Sequence, residues 1–414
     1  MAGLKAEIIA VGTELLLGET VNTNAQYIAR ELANLGIDTY YQSVVGDNVE
    51  RLLKAYKIAF DRADLVITTG GLGPTKDDIT KEVAARFLNK KMVPHEESLK
   101  AIQEFFAKRG LPVNDGNRKQ GYFPEGSIIL PNLVGTAPAC IIEDKDVKLI
   151  LLPGPPRENI PLFETHIIPY LQKYRDKAFV SKTLNVTGIG EGQMEEMIMD
   201  IIENQTNPTV APYSKARAIT VRIAASAPTR EEAEKLITPV ENQIRDRLGI
   251  YVYGEGNISL EAVVAELLIE KGMTIATAES CTGGLLAARL INYPGISSVF
   301  MEGIISYSNQ SKVRLLGVKP ETLGKYGAVS EEVAKEMAEG VRRIAGTDIG
   351  VSITGVAGPD GGTETHPVGL AYIGICINGV TKIKKINTSG SRSRIRNRLA
   401  NTALDLIRRE ILYM

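Results

Sequence analysis

Three side chains that could act as nucleophiles stand side by side in the stretch TIATAESCTGGLLAARL. Ser280, Cys281 and Thr282 lie between an apolar run typical of a buried strand and a run typical of a helix. A serine hydroxyl needs a base to remove its proton, and a cysteine needs a thiolate-forming partner such as histidine. The chain has three histidines, and none of them is close to this turn in sequence. A Ser-His-Asp triad is therefore poorly supported.

A lysine can take the place of the missing histidine. Lys312 lies in YSNQSK, after a short predicted strand, and burial or positive neighbours can lower a lysine pKa enough for it to accept a proton. The N–H groups of Cys281, Thr282 and Gly283 can form an oxyanion hole around the carbonyl that Ser280 attacks. The residues thus indicate a Ser–Lys pair. The alternative is structural, with a serine or threonine capping the helix and a small buried cysteine.

Two later stretches add groups that could bind a substrate. SITGVAGPDGGTETHPVG places Thr354 and Gly355 where a predicted strand ends. SGSRSRIRNR presents arginines, which clamp phosphates well, at every second position as a helix begins. Residues four apart share a helix face, so we expect only one pair to face a ligand. The sequence leaves open which of Arg392, Arg394, Arg396 and Arg398 those are.

Another set of candidates lies near the N-terminus, where three predicted strands end in turns rich in glycine and charge. The turns are AVGTELLLGETVNTN, ITTGGLGPTKDDITKE and LLPGPPRE. Glycines let N–H groups approach phosphate, carboxylates bind Mg²⁺ or Mn²⁺, and basic side chains balance phosphate charge. A diphosphate ligand held with a divalent metal is indicated, although any one such turn is more often only a turn. The candidates are Glu14, Gly70, Gly71, Gly73, Thr75, Asp77, Asp78, Lys81, Gly154 and Arg157.

Three segments must position these turns. Residues 1–172 alternate strands and helices, which predicts an α/β domain with a parallel or mixed sheet between helices and ligands at the carboxyl ends of the strands. Residues 173–254 predict a small α+β spacer or dimerisation domain without an active site. Residues 255–414 predict a second α/β domain, large enough to fold alone.

Composition narrows the function classes. With 48 basic and 49 acidic residues and no aromatic-interleaved basic stretch, no direct nucleic-acid contact is expected. Three widely spaced cysteines argue against a disulfide framework or a thiolate zinc site and favour a cytoplasmic location. No apolar run is long enough to span a bilayer, so no membrane partner is expected. A homodimer is the default expectation, because symmetric dimers are the commonest assembly.

The N-terminal motifs resemble a known family. GTELLLGETVNTN, TTGGLGPTKDDITKE, NRKQGYFPEG, GTAP and LPGPPRE, in this order, look like the N-terminal half of the CinA (competence/damage-inducible) family, which is similar to molybdopterin-binding domains. The resemblance implies hydrolysis of ADP-ribose to AMP and ribose 5-phosphate with Mg²⁺, Mn²⁺ or Co²⁺. It implies Asp77, Asp78 and Glu14 as metal ligands, and Asn24 and Lys81 as further polar site residues. Either Glu14 or Asp78 could act as the base. Ala139 stands where the family has a glycine.

The C-terminal motifs AESCTGG, YSNQSK, SITGVAGPDGG and SGSR resemble the C-terminal CinA domain. That domain is similar to stand-alone nicotinamide mononucleotide deamidases, which implies hydrolysis of nicotinamide mononucleotide to nicotinic acid mononucleotide and ammonia. The resemblance implies Ser280 as nucleophile, Lys312 as general base and Tyr307 as an accessory group. The implied substrate-binding residues are Glu279, Thr282, Gly283, Thr354, Gly355, Arg392 and Arg396.

The favoured hypothesis is a bifunctional pyridine-nucleotide salvage enzyme with these two small-molecule substrates. One alternative is an N-terminal domain that binds a pterin or a nucleotide without hydrolysing it. Another, from a different class, is a non-enzymatic scaffold in competence or recombination. The middle segment keeps a shorter motif, GIGEGQMEEM, with Gly192 where the family has a serine.

Overall fold

The structure, a computed structural model, describes residues 4–174, 178–214 and 219–414. Its contacts form two units, Met1–Ser181 with Ala225–Leu236, and Lys182–Ala224 with Ile237–Met414. The three segment boundaries expected from the sequence divide the chain differently and remain a prediction.

The first segment is built on a mixed sheet. Its strands are β1 (Lys5–Val11), β2 (Asp38–Val45), β3 (Leu65–Thr69), β4 (Met92–Pro94), β5 (Tyr122–Pro124), β6 (Ile128–Leu130), β7 (Ala139–Asp144) and β8 (Val147–Leu152). The sheet order is β2-β1-β3-β8-β7-β6, and β4 and β5 form a separate ribbon. Strands β2, β1, β3 and β8 run parallel, while β7 is antiparallel to both of its neighbours. The carboxyl ends of four strands therefore meet at one edge.

Helices cover both faces of this sheet. They are α1 (Thr13–Leu16), α2 (Thr23–Asn34), α3 (Val49–Phe60), α4 (Thr80–Phe87), α5 (Glu96–Ala107), α6 (Asp115–Lys119), α7 (Pro156–Leu162) and α8 (Ile168–Gln172), the last two joined by a π turn. Ile8 packs in one core cluster with α2 and α7, and Ile9 packs in another with α3 and α4. Adjacent residues of β1 thus pack into opposite cores, which is why the strand is continuously apolar from Ile8 to Val11.

The middle segment is the small α+β module expected from the sequence. Its elements are β9 (Ala178–Val186), α9 (Glu191–Met197), α10 (Met199–Glu203), β10 (Thr209–Ser214), β11 (Ile219–Ala227), α11 (Arg230–Leu248) and β12 (Val252–Glu255), with sheet order β10-β11-β9-β12. The single helix expected after GIGEG is two helices, because Ile198 leaves helical geometry at φ −121°. Part of the expected strand ARAITVRIAASA, residues 216–218, lies outside the described residues.

The last segment has a five-stranded sheet in the order β14-β13-β15-β16-β17. Its elements are α12 (Leu260–Lys271), β13 (Ile275–Glu279), α13 (Leu285–Ile291), β14 (Phe300–Ile305), α14 (Asn309–Leu316), α15 (Pro320–Tyr326), α16 (Glu331–Ala345), β15 (Ile349–Gly355), β16 (Leu370–Ile377), β17 (Val380–Asn387) and α17 (Arg392–Leu412). Strand β13 runs parallel to β14 and β15. Ser259 caps α12 and Gly272 ends it at φ 64°, as the sequence indicates.

Two helical layers enclose this second sheet. Ile275 of β13 packs with α12, α13 and α17, whereas its neighbour Ala276 packs with α14 and α16. The α/β class expected for the chain is confirmed. None of the helices in the described ranges is long and apolar enough to cross a membrane.

Gly340 tests the packing between α16 and α14. A Cβ at this position would overlap the carbonyl oxygen of Leu316, so we expect Gly340→Ala to destabilise the protein by about 1–3 kcal/mol despite alanine's better helix propensity. Thermal unfolding measures the change. The control is Gly324→Ala in α15, where nothing lies within 4 Å of the added carbon. An unchanged melting temperature for Gly340→Ala would contradict the close helix contact.

Candidate active sites

The nucleophile turn leaves the sheet at its carboxyl edge. Ser280 follows β13 directly, and its N–H donates to the carbonyl of Ile353 in β15 over 2.9 Å. Neighbouring strands β14 and β15 end at Ile305 and Gly355, so their following loops reach the same edge. Ser280 is buried, with 8% of its surface exposed. The geometry is that of a parallel-sheet ligand site, as the sequence indicates.

Lys312 and Ser280 are brought together, as the sequence predicts. The Lys312 Nζ lies 3.1 Å from the Ser280 Oγ and donates to the carbonyl of Ser306 over 2.7 Å. Lys312 stands in the first turn of α14, which Ser308 opens with a capping box. Its side chain is almost completely buried, and this burial lowers the pKa of the ammonium group. A neutral amine able to accept the serine proton is therefore favoured more than in water.

Cys281 lies in a poor environment for a nucleophile. Burial raises the pKa of its thiol to about 11, so the thiolate is scarce at neutral pH. The side chain packs in the apolar cluster beneath the sheet. The geometry supports Ser280 over Cys281, in agreement with the preference drawn from the sequence.

Of the three N–H groups expected to form an oxyanion hole, one is already hydrogen-bonded within the protein. The N–H of Gly283 donates to the carbonyl of Ser280 over 3.0 Å, which closes the turn. In the described part of the chain, no backbone carbonyl accepts the N–H of Cys281 or Thr282. These two remain available for a developing oxyanion.

Glu279 is engaged inside the protein. Its Oε2 and Oε1 accept the N–H groups of Leu286 and Ala287 over 3.1 and 2.8 Å, and the side chain is 1% exposed. A carboxylate at the N-terminal end of α13 also suits the helix dipole. Each oxygen of Glu279 thus already accepts one backbone N–H, so we assign this carboxylate to supporting the turn. The substrate role expected for Glu279 stays a prediction.

A cavity of about 280 Å³ opens beside Ser280 and Lys312. Its wall includes the predicted residues Tyr307, Thr354, Gly355 and Arg392 and Asp360 of the SITGVAGPDGG loop. It also includes Val329 and Val356, which the sequence did not single out. The Thr354 Oγ1 donates to the carbonyl of Ala328 over 2.7 Å, so this hydroxyl fixes a loop of the wall. A Cβ on Gly355 would overlap Ala371 of the next strand, which explains the glycine.

The structure separates the four arginines. Arg392 lines the cavity, where it donates to the Gly358 carbonyl over 2.7 Å and to the Tyr307 hydroxyl over 3.1 Å. Arg396 donates to the carbonyl of Thr282 over 2.6 Å. Arg398 donates to a threonine hydroxyl elsewhere, and Arg394 is exposed. Arg392 and Arg396, four residues apart, are thus the pair on the side of the candidate site: Arg392 at the cavity and Arg396 at the nucleophile turn.

The N-terminal glycines allow strand ends to approach closely. A Cβ on Gly70 would overlap the carbonyl oxygen of Val11, and Gly70 also lies against Gly154. Gly71 has φ +68°, and a Cβ there would overlap the hydroxyl of Thr80. These contacts bring the three predicted turns to one sheet edge. Glu14 folds back over Gly12 with its side chain exposed.

Asp77 and Asp78 converge on the Thr75 hydroxyl. The Asp78 Oδ2 accepts the Thr75 N–H over 2.9 Å and lies 2.5 Å from its Oγ1, which the Asp77 Oδ1 also contacts. This hydroxyl lowers the pKa of Asp77. Gly73 has no room for a Cβ beside Asp78. The two carboxylates therefore brace their own loop.

Lys81 does not extend into the cleft as a phosphate-binding lysine would. Its Nζ donates to the carbonyls of Gln120 and Lys119 over 2.7 and 3.4 Å and lies 4.4 Å from the Phe123 ring centroid. Burial lowers its pKa to about 8. The expected phosphate contact of Lys81 requires a rearrangement, and the observed role is to hold the end of α6. Arg157 is exposed.

Asn24 is joined by a residue that the sequence did not single out. The Nδ2 of Asn24 donates to the Thr69 Oγ1 and the Gly154 carbonyl, and the Nδ2 of Asn159 donates to the same threonine and to the Pro153 carbonyl. Both amide oxygens are buried and lack a hydrogen-bond partner. The only sequence signal for Asn159 is its place after the Pro-rich turn LLPGPPRE. An asparagine in such a place is too common to be selective.

A divalent cation fits this edge only together with a ligand. Among the described residues, no group of three or more His, Cys, Asp or Glu side chains could hold a metal ion. Asp77 and Asp78 are two adjacent carboxyl side chains, and Mg²⁺ is commonly held by one or two carboxylates plus substrate phosphates and water. Glu14 is not part of their cluster.

Comparisons with known proteins agree with this layout. The model described as "Probable molybdopterin binding domain" matches residues 7–173, "Damage-inducible protein CinA KH domain" matches 181–254, and "CinA C-terminal domain" matches 257–411. A competence-damage inducible protein of Alkaliphilus oremlandii is 67% identical over 409 residues, covering 99% of both chains. One of Clostridium novyi is 59% identical, again covering 99% of both.

Two solved structures are similar to parts of the chain. A CinA superfamily protein of Klebsiella pneumoniae is 32% identical, covering 37% of this chain and 97% of its own, with a TM-score of 0.37. The molybdopterin biosynthesis enzyme MoaB of Thermus thermophilus is 20% identical, covering 41% and 97%, with a TM-score of 0.27. The full-length relatives and the three domain models confirm the resemblance drawn from the motifs. The chain belongs to the CinA family of competence-damage inducible proteins.

Proposed function

We propose that the C-terminal domain hydrolyses the amide of nicotinamide mononucleotide to nicotinic acid mononucleotide and ammonia. The observation that carries the proposal is the buried contact of 3.1 Å between the Lys312 Nζ and the Ser280 Oγ. A lysine with a lowered pKa beside a serine is a general base for acyl transfer. The raised pKa of the Cys281 thiol makes this residue a poorer candidate nucleophile than Ser280.

The chain's own residues account for each proton. As the Ser280 Oγ attacks the amide carbon, neutral Lys312 takes the hydroxyl proton, and the N–H groups of Cys281 and Thr282 face the oxyanion. Lys312 then returns the proton to the leaving nitrogen, which departs as ammonia and leaves an ester on Ser280. Water attacks that ester, Lys312 takes the water proton, and its transfer to the Ser280 oxygen releases the carboxylic acid.

The residues that line the cavity would bind the substrate. Arg392 keeps guanidinium N–H groups beyond the two it gives to Gly358 and Tyr307, so it is our candidate for the substrate phosphate. Tyr307 is 63% exposed and is held by Arg392, which suits an accessory contact at the mouth. Apolar Val329 and Val356 offer a surface for the pyridine ring.

For the N-terminal domain we propose hydrolysis of ADP-ribose to AMP and ribose 5-phosphate. A divalent cation, Mg²⁺, Mn²⁺ or Co²⁺, would be held by Asp77 and Asp78 with the diphosphate and would make the phosphorus a better electrophile. Gly71 and Gly154 are partly exposed at the strand ends, where their backbone N–H groups can approach phosphate oxygens. Gly70 is buried, and its N–H already donates to the Leu152 carbonyl. Both substrates can arise from NAD breakdown, which favours a cytoplasmic salvage enzyme.

Other assignments remain as alternatives with clear tests. The N-terminal domain could bind a pterin or nucleotide without cleaving it, and the two unpartnered amide oxygens of Asn24 and Asn159 are the observation in its favour. A competence or recombination scaffold would bind DNA or partner proteins independently of both sites. The expected homodimer is a proposal for a solution molar-mass measurement.

Substitution of the nucleophile gives the first test. Ser280→Ala should reduce ammonia release from nicotinamide mononucleotide by at least about 10³-fold, because no oxygen remains to form the ester. The matched control is Cys281→Ala one residue away, which should retain activity within about tenfold because its buried thiol takes no part in the chemistry. If only Cys281→Ala loses activity, the nucleophile is Cys281 and the assignment of Ser280 is wrong.

The pH dependence tests the general base. Lys312 must be neutral to act, so kcat/KM should rise with pH through its pKa and level off above it. Because burial lowers that pKa, the plateau should begin below the ordinary lysine value of 10.5. Lys312→Arg should be inactive at every pH, since a guanidinium does not lose its proton. Activity that falls as pH rises would contradict the assignment.

Asp78 tests the N-terminal proposal. Asp78→Ala should lower metal-dependent AMP release from ADP-ribose by more than about tenfold, because the loop loses its brace and the cation loses a ligand. Exposed Asp61 at the end of α3 provides the control, Asp61→Ala. Calorimetry on the wild type separates the alternatives. Binding of ADP-ribose without AMP release would favour the binding module.

A further inference from the structure

Arg396 lies against the backbone of the nucleophile turn. Its Nη2 donates to the carbonyl of Thr282 over 2.6 Å, and a Cβ on Gly283 would lie 3.5 Å from the same nitrogen. Of the four arginines at the start of α17, all within the described chain, Arg392 is the one that lines the cavity. Arg396 is half-buried and directed at the protein backbone. It is placed to act on the turn instead of on a substrate phosphate.

We infer that Arg396 is a positioning residue, which holds the turn so that the N–H groups of Cys281 and Thr282 and the hydroxyl of Ser280 face one carbonyl group. This inference rests on the proposed amidohydrolase function. It differs from the phosphate-binding role that the family resemblance implies for Arg396. A charge-assisted bond to a carbonyl is stronger than a neutral one and suits such a clamp.

The turn needs a clamp because its own sequence is permissive. Gly283 and Gly284 have φ values of +60° and +89°, and glycines restrict the backbone less than any other residue. The Thr282 hydroxyl is buried without a hydrogen-bond partner, so this side chain does not fix the peptide. Besides Arg396, the Thr282 carbonyl accepts only a longer bond of 3.3 Å from the Leu285 N–H in the described chain.

Glu279 holds the other end of the same turn. Its carboxylate binds the N–H groups of Leu286 and Ala287, which fixes the start of α13 to the end of β13. Between β13 and α13, the Ser280 N–H bonds to Ile353 over 2.9 Å and the Gly283 N–H bonds to the Ser280 carbonyl over 3.0 Å. The Thr282 carbonyl is held by Arg396 over 2.6 Å and by the longer bond from the Leu285 N–H. Removal of Arg396 therefore loosens the oxyanion-binding side of the turn while the nucleophile's strand stays in place.

The positive charge of Arg396 adds to this geometric role. A guanidinium beside the Thr282–Gly283 peptide favours negative charge on an oxyanion bound at the neighbouring N–H groups. The effect is expected only when the carbonyl carbon becomes tetrahedral, because the ground-state amide carries no net charge. Interactions that strengthen in the transition state change kcat, whereas uniform substrate binding changes KM.

The experiment compares Arg396→Ala and Arg396→Lys with the matched control Arg398→Ala. Arg398 lies on the same helix but donates to the hydroxyl of Thr388. Two readouts are taken on the full chain: kcat and KM for nicotinamide mononucleotide, and the rate at which a fluorophosphonate probe labels Ser280. Thermal unfolding of each variant shows that the fold is kept, and Arg396→Lys serves if the alanine variant does not fold.

For Arg396→Ala we expect kcat to fall about 10²-fold, with KM changed by less than about twofold, and a similar fall in the labelling rate. Arg396→Lys should be intermediate, because a lysine still donates to the carbonyl but not in the same geometry. Arg398→Ala should behave as the wild type. Added guanidinium ion should partly restore the alanine variant but not Ser280→Ala.

Three outcomes would overturn the inference. An increase in KM with unchanged kcat would make Arg396 a substrate ligand, and an unchanged labelling rate would show that the turn does not depend on it. A wild-type protein whose Ser280 is not labelled would show that the turn is not organised for attack. Labelling without hydrolysis of nicotinamide mononucleotide would refute the proposed substrate alone, and the comparison of labelling rates would still decide the role of Arg396.

Discussion

The C-terminal site depends on one buried lysine amine placed between two oxygens. Lys312 is 1% exposed, and its Nζ contacts the Ser280 hydroxyl and the Ser306 carbonyl. A permanently charged ammonium in this position would be costly, because the carbonyl offers only partial compensation for lost water. The cost favours the neutral amine, which is the form that can take a serine proton. Burial thus increases the fraction of neutral amine at a given pH. Among the described residues, the Lys312 Nζ bonds to a hydroxyl and a carbonyl and to no carboxylate.

The rest of the domain holds Lys312 and Ser280 at this distance. Three parallel strands, β13, β14 and β15, end at the same edge, and each delivers one part of the site: Ser280, the Ser306–Tyr307 loop and Thr354. The strands are fixed by apolar cores on both faces. Since a strand shift of one residue would exchange the two cores, the register that protects the cores also fixes the distance between base and nucleophile.

Sequence patterns were sufficient for the elements and for the Ser–Lys pair, but not for every charged side chain. A continuous apolar run predicted β13, and helical spacing with a cap residue predicted α12, because those signals are local. Glu279 and Lys81 are charged residues beside glycine turns, which is the usual signature of a ligand site. In the structure they bind backbone groups seven or about forty residues away. Such partners are set by tertiary packing, so no local pattern distinguishes the two roles.

The two candidate sites differ in how much of their charge is already used. At the C-terminal site, Ser280, Lys312 and two N–H groups are organised around an open cavity without any further ion. At the N-terminal edge, Asp78 and Lys81 already bind groups of the protein itself, so the proposed diphosphate would have to bring its cation and displace internal bonds. Preorganised groups cost no reorganisation during reaction. The C-terminal site is therefore built for direct attack, whereas the N-terminal site requires its ligand to complete it.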